Sequence, residues 1–229
     1  PSGKQAIERL PAASAIPLLV GSDIGRGVGQ QVRGCTIFPH SAAFEKLGAD
    51  AEPVVGDYAR VLAREARDVG IHITFAPAAD VNSNRRNPII NTRAYSDNAE
   101  RAALLTRAYV SAAEGAGLYT SAKHFPGHGD TERDSPDSLP SLPLSIKQLR
   151  ERELVPFRAA IDAGCALVMT ALVAYPEIDP SGVPETLSPV TLKQLWRAEP
   201  GLEGGVFSRV LLTAVVGGGV APAEARGAR

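Results

Sequence analysis

Five short, near-continuously apolar runs, at residues 17–21, 71–76, 118–122, 166–170 and 205–207, are separated by stretches long enough to hold helices. A strand with one wet face alternates apolar and polar side chains. An unbroken apolar run belongs to a strand covered on both faces, the pattern of a parallel sheet between helices. Parallel neighbours need a crossover, and residues 53–69, 98–116, 145–163 and 189–197 have helical character to supply it. In the first of these, Val54, Tyr58, Val61, Leu62 and Val69 recur near helical spacing with Arg and Asp opposite, which predicts a buried stripe. Asp97 and Ser145 are expected N-caps, and Gly70, Gly117 and Gly164 fit helix ends. Strand–helix–strand alternation therefore predicts an α/β fold with right-handed crossovers.

Residues 123–140 read KHFPGHGDTERDSPDSLP. The segment follows an apolar run, so it is expected on the loop at the C-terminal end of a strand, where parallel α/β folds build their sites. Lys123, His124, His128, Asp130 and Asp134 fall within it, a density of ionisable groups that core packing does not need. One reading of His124, His128 and Asp130 is a metal-ligand set for hydrolysis. Against it, two histidines four residues apart suit a helix, and Pro126, Gly127 and Gly129 forbid one here. His128 and Asp130 better suit shaping the loop. His72, between isoleucines, reads as a satisfied strand residue, and His40 as a loop residue with no partner implied. Asn82, Asn84 and Asn87 read as turn formers that tolerate the left-handed conformation. The glycines of GRGVGQ, Gly25, Gly27 and Gly29 among them, lack the spacing of a dinucleotide fingerprint.

KHFPGHGDT followed by DS and LP resembles the signature of glycoside hydrolase family 3, in particular its β-N-acetylhexosaminidase branch. PLLVGSD, FAPAADVNSNRRNPIINTRAYS, ALVMTALVAYPEID, ETLSP and GGVFS match in the same order, over roughly residues 16–208. The resemblance implies a (β/α)8 TIM-barrel type fold in which residue 17 begins the second strand and residue 205 the sixth. About five of eight strands are then present, in a partial barrel domain over 1–208. Residues 209–229, rich in Ala, Gly, Val and Arg, are expected to form a low-complexity or disordered tail, or the end of a truncated or frame-shifted product.

The resemblance also implies a retaining glycosidase acting on terminal non-reducing β-linked N-acetylhexosamine or glucose. It places Asp23, Arg93, Lys123 and His124 on the sugar hydroxyls, with Asp134 in the catalytic loop as the residue that orients the acid/base. The family's acid/base histidine is replaced by Pro136, its nucleophilic aspartate by Arg209, and a strand-end histidine by Leu172. Neither proline nor a permanently protonated guanidinium can do that chemistry. Lost activity is therefore expected, in a non-catalytic carbohydrate-binding protein or a gene fragment. Missing strands would leave sheet edges open to self-association.

The remaining composition narrows the partners. With 24 basic against 25 acidic side chains, nothing in the charge balance calls for nucleic acid or an anionic membrane. No apolar run approaches the roughly 18 residues of a spanning helix. The first residues lack the apolar centre of a signal peptide and a Met, so an upstream piece is expected and the compartment stays open. Cys35 and Cys165 make no disulfide framework or metal spacing, and Cys165 reads as a small buried residue. No cofactor or metal is implied.

Overall fold

A computed structural model of the protein describes residue 7 and residues 18–132, 139–192, 195 and 205–207. Its centre is a five-stranded parallel sheet in the order β1 (Gly21–Ser22), β2 (Ile73–Thr74), β3 (Tyr119–Phe125), β4 (Leu167–Thr170) and β5 (Gly205–Phe207). Sequential order with every neighbour parallel is the topology of a barrel wall, each strand succeeding the last by a crossover. Register runs Gly21 to Ile73, Ile73 to Tyr119, Ser121 to Leu167 and Leu167 to Gly205. The expected strand at 71–76 contracts to two paired residues, whereas β3 outlasts its prediction. Lys123, His124 and Phe125 are strand residues rather than loop, because Lys123 still pairs with Met169 and Phe125 with Thr170.

The crossovers are helical where expected. α1 (Ala51–Asp68) and α2 (Ala99–Gly115) pack on each other and on the sheet, burying Val55, Tyr58, Ala59, Leu62, Leu105, Tyr109 and Val110. Val54 and Val61, expected in that stripe, instead stand 38% and 41% exposed. The buried face of α1 runs through Val55, Ala59, Ala63 and Ala66, small residues that let α2 approach closely. The N-cap of α2 is Asn98, whose side chain accepts from the Arg101 amide, and not Asp97. Ser145 does cap the third helical run, in a reciprocal pair with Gln148. That run is not a uniform helix: Ile146–Gln148 leads into a π-helical turn, Leu149–Glu153, before α3 (Leu154–Asp162). Gly70, Gly117 and Gly164 close the helices with positive φ, as expected. The helix expected at 189–197 begins at Pro189–Thr191 with Ser188 as its cap; most of its remaining residues lie outside the described ones.

Two side chains pin the layers together. Glu114, near the end of α2, accepts from the Thr120 amide (2.7 Å), the Thr120 hydroxyl (2.6 Å) and the Ala166 amide (3.0 Å), so one carboxylate holds the starts of β3 and β4. Glu65 on α1 accepts from the amide and hydroxyl of Thr36 and fixes the loop after β1. Cys165 is half-buried, with its sulfur against Thr120 and the Leu167 carbonyl. No helix among the described residues is long and apolar enough to cross a membrane.

Candidate functional site

The C-terminal ends of β1, β2 and β3 open on a cleft of about 300 Å³ lined by Asp23, Arg26, His40, Tyr58, Phe75, Arg93, Tyr95 and Lys123. That volume is at the small end of ligand pockets. Asp23 directly follows β1, and Arg93 ends a single 3-10 turn, Asn91–Arg93, in the long connection after β2. Lys123 is in β3, only 5% exposed, and its Nζ donates to Asp23 Oδ1 at 2.5 Å. A buried ammonium needs such a partner, since desolvating it unpaired costs several kcal/mol.

His124, the next residue, is bound from two sides. Its Nε2 lies 3.3 Å from Arg93 Nη2 and its Nδ1 2.9 Å from Asp80 Oδ2. A guanidinium only donates, so Nε2 is the acceptor and the ring proton sits on Nδ1, given to Asp80. Burial pushes His124 down to about 4, Asp80 opposing and Lys123 and Arg93 adding to the depression. The ring is therefore neutral at physiological pH. The four residues expected around a sugar thus occupy one neighbourhood: Asp23, Arg93 and Lys123 line the cleft, and His124 is bonded to Arg93. Asp134 lies outside the described residues, as do Pro136 and Arg209.

Asp80, behind the cleft and bonded to His124, is a residue that the motifs alone do not single out. It is completely buried and accepts from the backbone amides of His124 (3.2 Å) and His128 (2.7 Å) as well as from the His124 ring. Burial alone would raise its carboxyl; His124, His128 and the amide of His128 hold it below the ordinary value. A signal for it exists in FAPAADVNSN, an acidic residue between apolar ones just past a strand. His40, expected to be a loop residue without a partner, lines the cleft, and burial followed by the charge of Arg26 lowers its pKa. His72 is satisfied as expected, its Nδ1 accepting from the Val20 amide, although it stands just before β2 and not in it.

The His124 and His128 rings meet edge to face at 5.8 Å, but the ring of His124 is bonded to Asp80, that of His128 to the Thr131 hydroxyl (2.7 Å), and Asp130 to Arg152 (2.6 Å). His128 and Asp130 shape the loop, as expected. Asn84 and Asn87 do form turns, but by accepting from amides two or three residues on. Among the described non-glycine residues, only Asn91 has a positive φ. In the GRGVGQ loop, a Cβ at Gly27 or Gly29 would meet the Thr36 or Cys35 carbonyl at 2.3–2.4 Å. Those glycines serve the loop's own packing.

A parallel sheet in sequential order, with charged groups gathered at its C-terminal ends, is the plan of a TIM-barrel fold and its site. The profile of the glycosyl hydrolase family 3 N-terminal domain matches residues 4–225, and the chain belongs to that family. Beta-hexosaminidase A of Pseudoalteromonas piscicida is 36% identical over 157 residues, 64% of this chain and 26% of the relative. Among solved structures, a family 3 β-N-acetylglucosaminidase from Paenibacillus sp. str. FPU-7 superposes with TM-score 0.84 at 36% identity, over 90% of this chain and 40% of that one. NagZ from Neisseria gonorrhoeae, in complex with N-trifluoroacetyl-D-glucosamine, gives 0.81 at 33% identity, over 90% and 60%. The chain thus spans between about a quarter and three fifths of the length of these relatives.

Proposed function

We propose that the cleft binds the terminal non-reducing unit of a β-linked saccharide, an N-acetylhexosamine or a glucose, and that the chain hydrolyses it poorly or not at all. The observation that carries the reading is the convergence of Asp23, Arg93 and Lys123 on one small cleft in a family 3 chain. A carboxylate accepts from sugar hydroxyls while an ammonium and a guanidinium donate to them. The 2.5 Å Asp23–Lys123 pair sets an acceptor and a donor side by side, the spacing that two adjacent hydroxyls present. Such a pocket discriminates strongly, because an ill-matched ligand leaves buried polar groups unpaired. The N-trifluoroacetyl-D-glucosamine complex of the gonococcal NagZ supports the same class of ligand.

The expected loss of hydrolysis rests on residue identity. Retention needs a nucleophile and an acid/base about 5 Å apart, and Arg209 and Pro136 stand at the matching positions. Losing general acid help alone removes about 10²- to 10⁴-fold in rate. Calorimetric titration with N-acetylglucosamine and glucose, beside turnover of their aryl β-glycosides, tests both halves. Binding with negligible turnover is expected. Turnover within roughly 10²-fold of an ordinary enzyme, typically about 10 per second, would overturn the loss of hydrolysis. Failure to bind either sugar would overturn the site.

A further inference from the structure

We infer that Arg152 and Glu153, on the π-helical turn at Leu149–Glu153, are positioning residues that hold the 127–130 turn and, through Asp80, orient His124. The inference rests on the sugar-site reading only for its second readout, binding. Arg152 reaches out of the helix in two directions: its Nη2 donates to Asp130 Oδ2 and its Nε to Glu153 Oε1, both at 2.6 Å. Glu153 is completely buried beneath the turn. A Cβ at Gly127, whose φ is 147°, would meet Glu153 Oε2 at 2.6 Å, so the glutamate fills the space that any other residue there would need.

The turn is held from the opposite side by the connection after β2. A Cβ at Gly129 would stand 1.7 Å from the Val81 carbonyl oxygen. Asn84 Nδ2 donates to the Asp130 carbonyl, and Asn87 Nδ2 to the His128 carbonyl (2.7 Å) and to Thr131 Oγ1 (3.1 Å). Clamped between these faces, the turn presents the His128 amide to Asp80 Oδ1. Asp80 in turn accepts a hydrogen bond from the His124 ring N–H. The chain of contacts runs from Arg152 through Asp130 and His128 to Asp80 and His124, each link a hydrogen bond or a short stretch of the turn's own backbone.

The π turn gives the arrangement a local cause. A regular helix sets successive side chains about 100° apart, whereas π turns widen the helix by one residue and recur at functional sites. Here the turn ends on adjacent residues, Arg152 and Glu153, that both address the 127–130 turn. Among the described residues Glu153 Oε2 has no hydrogen-bond partner, and burial pushes the group up to about 7 against the pull of Arg152. Asp80 and Asp130 push in the same direction as burial. A carboxylate kept in so unfavourable a setting is consistent with a positioning task.

The test reads His124 directly, by NMR titration of its ring in the wild type, R152Q, R152K and D130N, alongside N-acetylglucosamine affinity. R152Q is expected to let the turn loosen and water reach Asp80. The His124 midpoint should then rise by at least about one pH unit and the affinity fall at least tenfold. R152K, which keeps a cation for Asp130, should fall between R152Q and wild type. Should R152Q fail to fold, D130N reads the same contact with helix and core untouched. Wild-type titration of His124 in a cooperatively melting R152Q or D130N would overturn the inference. A wild type that binds no sugar, with His124 still displaced in R152Q, would sink the sugar reading and leave the positioning role standing.

Discussion

At the residue scale, the buried ionisable groups give this protein a two-sided dependence on pH. An unfolded histidine titrates near 6.5, while His124 stays neutral in the fold down to about 4. Between those values the unfolded chain holds more protons, so stability falls on acidification from about pH 6.5 to 4. H124Q is expected to flatten the acid limb of a plot of thermal midpoint against pH; an unchanged slope would place the acid sensitivity elsewhere. Glu185 acts in the opposite sense. It is fully buried, neither oxygen has a hydrogen-bond partner among the described residues, and burial raises it well above the ordinary value against the nearby groups of Thr186 and Ala171. Here the folded state holds the extra proton, so stability falls as pH rises above about 4.5. E185Q should therefore raise the thermal midpoint at pH 8 and lose that gain by pH 4. Equal shifts at both values would indicate packing rather than ionisation. That Lys123 and Asp23 line the candidate cleft is legible because charged groups at strand ends stand out. Arg152 and Glu153 are not legible, because the Arg152 partner Asp130 is 22 residues away and the place of Glu153 is set by burial, and neither leaves a local pattern; Asp80 leaves only the lone acidic residue of FAPAADVNSN.

At the element scale, the helices and strands follow from periodicity, and the departures have local causes. The stripe on α1 excludes Val54 and Val61 because they fall at one edge of a buried face that is centred on Val55, Tyr58, Ala59, Leu62 and Ala66. The π turn has no signature in RERELVPF, since the widened turn falls on charged residues that carry no apolar period to betray it. The Glu114 clamp is equally invisible in the sequence. It closes three hydrogen bonds to a carboxylate, each worth about 1.5–3 kcal/mol when charged and partly offset by lost hydration. E114A is expected to lower stability by about 2–4 kcal/mol, read by urea denaturation, with E114Q recovering part of it. A loss under about 0.5 kcal/mol, the size of an ordinary surface substitution, would mean that β3 and β4 hold their alignment without it.

At the scale of the whole molecule, the order and direction of the strands are readable because only a parallel sheet accommodates runs apolar on both faces. How the sheet ends is not. Among the described residues β1 pairs only with β2 and β5 only with β4, so each presents one margin of backbone donors and acceptors. A closed barrel has no such margins. Margins of this kind template pairing with another chain, and sedimentation velocity over micromolar concentrations is expected to show self-association. A monomer throughout, with a single sharp thermal transition, would mean that the chain covers them itself.

The sealed pairing of Lys123 with Asp23 also bears on reactivity. An amine that is 5% exposed and held by a carboxylate is a poor nucleophile toward acylating reagents, whereas Lys46 and Lys147 stand in solvent. Brief treatment with an N-hydroxysuccinimide ester of acetic acid should acetylate Lys46 and Lys147 and spare Lys123. D23N, with the same shape and no countercharge, should bring Lys123 into the labelled set. Peptide mass mapping of the two proteins would thus report on the closed floor of the cleft without any sugar being present.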